Sequence, residues 1–147
     1  MDTFPKIVSF LWLCLHNSIP IREVLVARGI SCSKLCPICK EQDESIEHLL
    51  RECFFGQQFW AKIHAPRVSS MRIHNVSGWL QVNYRSKLIH HSFIPWNLIF
   101  PLVVWSIWKY CNKVVFENVP LNLNLHRSCL NEPREYFYCI AKSGRKK

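Results

Sequence analysis

Apolar residues along the first half of the chain recur at helical spacing, interrupted by short polar breaks. In residues 6–17 (KIVSFLWLCLHN), Ile7, Phe10, Leu11, Cys14 and Leu15 share one face, with Val8 and Trp12 widening it. This pattern predicts a mostly buried helix. Pro20 opens a second helix, residues 21–28 (IREVLVAR) continue it, and Gly29 is its expected C-terminal stop. The two are expected to pair as a helical hairpin. A loop over 31–35 then leads to Cys36-Pro37-Ile38-Cys39, a turn whose bend is helped by the fixed φ of Pro37. Asp43 is the expected N-cap of a short helix with Ile46, Leu49 and Leu50 as its apolar stripe, and Glu44 and Glu47 lie at its positive end.

Further on, Phe54, Phe55, Phe59, Trp60 and Ile63 form an aromatic amphipathic segment expected to pack on the first hairpin. Residues 65–77, with Pro66, Ser69, Ser70 and Asn75, lose any period and predict a loop or linker. A short element over 77–82 surrounds Trp79 and Leu80. Residues 94–117 are the longest helix candidate, with a kink expected at Pro101. The pattern thins from residue 118, and the basic end over 143–147 is expected to fray. The fold class predicted is mainly α.

The candidate chemistry lies in the polar breaks. Cys36, Cys39, His48 and Cys53 bring three thiols and an imidazole into one short segment. A structural zinc site takes four such N/S ligands, commonly two from a two-residue cysteine turn and two from a nearby helix. His48 points away from the apolar stripe, as a ligand on the helix flank should. Cys53 lies five residues later, about 140° around a regular helix. Both can meet one ion only if the helix ends or tightens near Arg51 and Glu52. Cys32, four residues before Cys36, is the rival ligand, Cys14 reads as a core cysteine, and Cys111, Cys129 and Cys139 show no partner pattern. His90 and His91 read as an exposed loop pair, and the tryptophans at 12, 60, 79, 96, 105 and 108 as core or protein interface rather than base-stacking groups.

Charge divides the chain. The formal net charge is +9 over 147 residues, yet five of the ten acidic residues (Glu41, Asp43, Glu44, Glu47 and Glu52) surround the candidate ligands. No acidic residue occurs between Cys53 and Phe116, whereas Lys62, Arg67, Arg72, Arg85, Lys87, Lys109 and Lys113 do. A polyanion would be drawn to that stretch and away from the metal. Lys62, Arg67, Arg72, Arg85 and Lys87 are the candidate nucleic-acid contacts.

Hydrophobic residues make up 49% of the chain, enough for one domain with a sizeable core. The apolar run over 93–108 is broken by Asn97, Ser106 and two prolines and falls short of the roughly 20 residues of a membrane span. It predicts a helix buried in the protein or under a partner, with no membrane association. Residues 7–15 resemble the apolar core of a signal peptide, but Asp2 weakens the positive start and 16–20 lack a small-x-small cleavage pattern. An intracellular location, nucleus or cytoplasm, is expected, with the cysteines held as thiols.

Pro5-Lys6-Ile7, Phe10-Leu11-Trp12, Ile19-Pro20-Ile21-Arg22, Leu25, Arg28-Gly29-Ile30, Cys36-Pro37-Ile38-Cys39, Glu44 through Leu50, Glu52-Cys53 and Phe59-Trp60 together resemble the zinc-binding domain that follows the polymerase in plant LINE-type (non-LTR retrotransposon) reverse transcriptases. The resemblance covers residues 1–64. Downstream, Trp105 through Asn112 and on to Phe116 are similar to the family's Trp-x-Ile-Trp-x-x-Arg-Asn segment, which leads toward a ribonuclease H region. Cys111 stands where that segment has Arg, and Lys40 where the family often has Gly.

The resemblance implies one structural Zn2+ on Cys36, Cys39, His48 and Cys53. It also implies a non-catalytic accessory role in a retrotransposon polyprotein, with RNA or DNA and the polymerase or ribonuclease H domains as partners and no small-molecule substrate. The organisation expected is a zinc-binding domain over 1–64, a linker with a short element over 65–91, a long apolar helix over 92–117 and a weakly structured basic tail over 118–147. The acid-free middle offers no carboxylates for two-metal catalysis, so an enzyme is not expected. Two alternatives stay open: a zinc-stabilised protein-interaction module and a secreted disulfide-rich protein.

Overall fold

A computed structural model describes residues 3–66, 75–90 and 93–116. The expected tail over 118–147, with Cys129 and Cys139, lies outside the described residues, as do Arg67, Arg72 and His91. The described part is mainly helical, as its apolar periods predict. The helices are α1 (Thr3–Leu15), α2 (Arg22–Ala27), a π-helical turn (His48–Glu52), α3 (Phe54–Lys62), α4 (Val76–Tyr84) and α5 (Trp96–Phe116).

α1 buries Ile7, Phe10, Leu11 and Cys14, the predicted face. Trp12 departs from the expectation: it is 57% exposed, with its ring 3.9 Å from that of His16. Gly29 ends α2 as predicted, at φ +86, where the Ile30 N–H reaches back to the Leu25 carbonyl. Only a residue without a Cβ takes that conformation freely.

α5 is the centre of the packing. Ile99 through Val104 are all buried, and α1, α4 and the π turn each pack against it. Phe10 of α1 meets Trp105 edge-on at 5.0 Å and stacks on Trp108 at 5.9 Å. By length and composition α5 could cross a membrane, but half of its apolar window is buried inside the protein. Each fully buried side chain such as Phe100 contributes about 1.5–3 kcal/mol. The helix continues through Pro101. One core cluster runs from Phe10 to Cys111, so the N-terminal helices and the long helix bury the same apolar surface.

α4 is longer than the element predicted at 77–82. Asn75, assigned to the loop from its sequence context, caps the helix by accepting from the Gly78 N–H at 2.8 Å. Asn83, fully buried, donates to the Trp79 carbonyl and accepts from the Trp96 indole N–H at 2.9 Å, pinning α4 to α5.

α3 takes its ring partners from α4 and α5 rather than from the N-terminal helices expected. Phe55 stacks on Tyr110 at 5.3 Å, and Trp60 stacks on Phe100 at 5.5 Å and meets Trp79 edge-on at 5.7 Å. This places the start of α3 beside the π turn and its end beside the α4–α5 connection.

Candidate metal centre

The CxxC segment is a closed turn. The Lys40 N–H bonds the Cys36 carbonyl at 2.9 Å, the Cys36 N–H bonds the Gln42 carbonyl at 2.7 Å, and Leu35 bridges Asp43 antiparallel beneath. Asp43 therefore does not cap the following helix. Ser45 does, its hydroxyl accepting from the His48 N–H at 3.0 Å. Glu44 is buried and turns instead to α2, where its carboxylate accepts from the Arg22 N–H at 2.9 Å. Burial raises its pKa, against the opposing pull of that N–H.

The helix after Ser45 does change before Cys53, but it widens where tightening was one of the expected alternatives. His48–Glu52 form a π turn, closed by the Cys53 N–H on the His48 carbonyl at 2.7 Å. An i→i+5 bond brings residues five apart to nearly one turn of separation, which removes the angular conflict between His48 and Cys53. Cys53 itself is extended (φ −64, ψ 137), ending the turn and starting α3.

Side chains of α3 stabilise this irregular backbone. The Trp60 indole N–H donates to the Leu50 carbonyl at 2.7 Å, and the Gln57 amide donates to the Arg51 carbonyl at 3.2 Å. Gly56 lets the backbones approach, since a Cβ there would lie 2.9 Å from the Leu49 carbonyl oxygen. Arg51 pairs with Glu47 at 3.1 Å and lies over the Trp79 ring at 5.4 Å.

The result is one cluster: Sγ of Cys36, Cys39 and Cys53 and a ring nitrogen of His48 lie within 4.8 Å of one another. Cys36 and Cys53 sulfurs are 4.0 Å apart, and the Cys39 sulfur is 3.3 Å from His48 Nε2. Tetrahedral zinc, with bonds of about 2.3 Å to sulfur and about 2.0 Å to nitrogen, sets neighbouring ligands about 3.5–3.8 Å apart. The spacings suit a shared ion. A disulfide would need about 2.05 Å. Three thiols and an imidazole with no carboxylate also suit a borderline-soft metal.

The Cys36–Cys53 sulfur contact raises the first thiol's pKa and lowers the second's; burial adds to the rise at Cys36 and opposes the fall at Cys53, which the Phe55 N–H at the start of α3 assists. Cys39 and Ile38 backbone N–H groups point at the Cys36 sulfur and favour its thiolate. His48 Nδ1 is buried with no hydrogen-bond partner among the described residues, leaving Nε2 as the nitrogen facing the sulfurs.

Cys32 stays outside the cluster. Burial pushes the Cys14 thiol up to about 12, keeping it protonated in the core. Cys111, for which the sequence showed no partner pattern, is buried, and burial raises its pKa, with smaller contributions from Glu44 and Cys36.

Of the basic candidates, Lys62 is exposed at the end of α3, and Arg85 and Lys87 are exposed at the start of the α4–α5 connection. His90 is not the exposed residue expected: it is 3% accessible, and its Nε2 donates to the Ile63 carbonyl at 2.6 Å. That bond spans 27 residues of sequence, and no local pattern marks it.

Helices closed around a Cys3His cluster that could hold a metal ion define a small helical metal-binding domain. Residues 2–60 match the model of the family described as zinc-binding in reverse transcriptase. An Arabidopsis thaliana protein named "Putative ribonuclease H protein" is 29% identical over 115 residues. That alignment covers 77% of this chain and 18% of the relative, so the chain spans under a fifth of that protein's length. No solved structure matches the chain.

Proposed function

We propose that Cys36, Cys39, His48 and Cys53 hold one structural Zn2+, and that the chain is a non-catalytic accessory domain of a LINE-type retrotransposon polyprotein that helps to bind RNA or DNA. The observation that carries this reading is the π turn, which brings His48 and Cys53 to one side and within 4.8 Å of the CxxC sulfurs. Four protein ligands would leave no open position for water, so the ion's contribution is folding energy rather than reaction. Cys36, Cys39 and Cys53 would bind as thiolates and His48 through Nε2.

The acidic residues around the ligands direct any phosphate contact elsewhere, to the stretch from Cys53 to Phe116 that carries no carboxylate. Lys62, Arg67, Arg72, Arg85 and Lys87 are the contacts proposed among its cations, and the polymerase or ribonuclease H parts of the parent protein are its protein partners. The expected location is inside the cell, nucleus or cytoplasm, where thiols remain reduced.

The test is the zinc-to-protein ratio of the purified chain beside Cys36→Ser and Cys32→Ser. One zinc per chain in the wild type, lost in Cys36→Ser and kept in Cys32→Ser, is the expected result. A ratio near zero in the wild type, or metal loss only in Cys32→Ser, defeats the ligand set. Binding of oligonucleotides should weaken with salt, at a log-log slope of about −0.9 per neutralised phosphate on duplex DNA. Salt-independent binding, or none, would favour a docking module, a reading to which the exposed Trp12 lends support.

A further inference from the structure

The connection between α4 and α5 gathers side chains that neither the core nor the metal cluster uses. Phe93 is 85% exposed and Ile89 61%, with Tyr84 at the end of α4 also exposed. Phe93 has φ +67, the left-handed region that a bulky side chain rarely occupies. The surrounding backbone holds it there: the Phe93 N–H bonds the His90 carbonyl at 2.8 Å, the His90 N–H bonds the Ile94 carbonyl at 2.9 Å, and Ile89 bridges Pro95. A backbone held this way while it presents an aromatic ring to water is an outlier from which a functional reading can be argued.

Exposed cations lie within eight residues of the ring in sequence. Arg85 and Lys87 stand at the start of the connection. The His90 bond to the Ile63 carbonyl brings the end of α3, with Lys62 exposed, against the same connection. No carboxylate lies anywhere between Cys53 and Phe116 to oppose them. Exposed aromatic rings and cations on one stretch of chain without carboxylates have the composition of a single-strand site, where bases stack on rings and phosphates meet Lys and Arg.

We propose that the α4–α5 connection is a binding site for single-stranded nucleic acid, in which Phe93 stacks on a base and Arg85 and Lys87 contact its phosphates. This rests on the nucleic-acid reading above and narrows it to a strand type and a site. Duplex is the weaker ligand because its bases are already stacked and offer no free face to Phe93. His90 positions the connection without touching the ligand.

The test uses the zinc-loaded full chain and fluorescence anisotropy with a labelled twelve-nucleotide dT strand, the same-length mixed duplex, and phosphatidylcholine vesicles with and without phosphatidylserine. Phe93→Ala should weaken dT binding roughly tenfold or more, Phe93→Tyr should restore it, and Phe93→Leu should not. Arg85→Gln with Lys87→Gln should weaken dT binding and flatten the salt slope by about 0.7 for each phosphate no longer neutralised. Each variant should keep the wild-type zinc ratio, which separates weaker recognition from a failure to fold.

A Phe93→Leu chain that binds as well as wild type overturns the proposal, because an apolar contact would then suffice. So does preference for phosphatidylserine vesicles over dT, or for the duplex. Salt-dependent wild-type binding that no variant at 85, 87 or 93 alters defeats this site and leaves the broader reading standing. Absence of oligonucleotide binding at low salt defeats both.

Discussion

The two ends of α3 show how differently one short helix can be secured. At its start, Cys53 joins a cluster of buried sulfurs, the preceding backbone is a π turn, and the neighbouring sequence is acidic. At its end, about 13 Å away for a helix of nine residues, a single buried histidine holds the Ile63 carbonyl, and the exposed side chains nearby are basic and aromatic. The first end concentrates donors in the interior and keeps charge of the wrong sign for phosphate. The second is secured by the His90 bond and by the packing of Trp60 on Phe100 and Trp79, with Lys62 exposed at the surface. Stability and surface chemistry are thereby assigned to opposite ends of one helix.

The largest test of that contrast is removal of a ligand. Cys53→Ser should abolish zinc binding and, with it, apparent folding energy on the order of 10–16 kcal/mol. That is comparable with the roughly 5–15 kcal/mol by which domains are stable. The variant should lose the near-UV circular dichroism of the rings that α3 packs, and chelation of the wild type should do the same. If Cys53→Ser keeps its zinc and its near-UV signal, the metal end is not what secures α3.

Closer to the backbone, Gly56→Ala places a Cβ 2.9 Å from the Leu49 carbonyl oxygen. Backbone cannot yield as a side-chain tip can, so a cost of about 1–3 kcal/mol is expected, read as a lower urea midpoint at unchanged slope. Because the displaced carbonyl belongs to the π turn, zinc affinity should fall with stability. His90→Ala should cost a similar 1–3 kcal/mol or so by leaving the Ile63 carbonyl buried and unpaired. Its zinc ratio, however, should stay at the wild-type value. Coupled loss at Gly56 and uncoupled loss at His90 is the pattern that separates the two ends; metal loss in His90→Ala would merge them.

How much of this was legible in the sequence follows the same division. Apolar periods marked α1, α2 and α5, and Gly29 marked the end of α2, because those signals are local. The ligand types and spacing singled out the four residues that the fold brings together, and the 140° conflict between His48 and Cys53 required the helix to change before Cys53. That the change is a widening depends on Trp60, Gln57 and the missing Cβ of Gly56, groups on another helix that receive the turn's carbonyls. Asp43 and Glu44 were misread for a related reason: an acidic residue before an apolar stripe suggests a cap, but Leu35 and Arg22 claim them from a distance. His90 carries no local sign of burial, since its partner lies 27 residues away.

The smallest effect concerns the turn itself. Lys40 follows the second cysteine with φ +59, in the left-handed region, because its N–H must fold back to the Cys36 carbonyl to close the turn. A residue with a Cβ is strained there by about 1–2 kcal/mol, whereas glycine is not. Glycine also loses more backbone freedom on folding, which offsets part of the gain. Lys40→Gly should therefore stabilise the zinc-loaded chain by about 0.5–1 kcal/mol, measured as a rise in urea midpoint, and tighten zinc binding about two- to fivefold in a chelator competition. Since Lys40 is exposed and stands among the acidic residues of the metal end, dT binding at the far end of α3 should not change. Weaker dT binding in Lys40→Gly would place a nucleic-acid contact at the metal end and overturn the separation of the two.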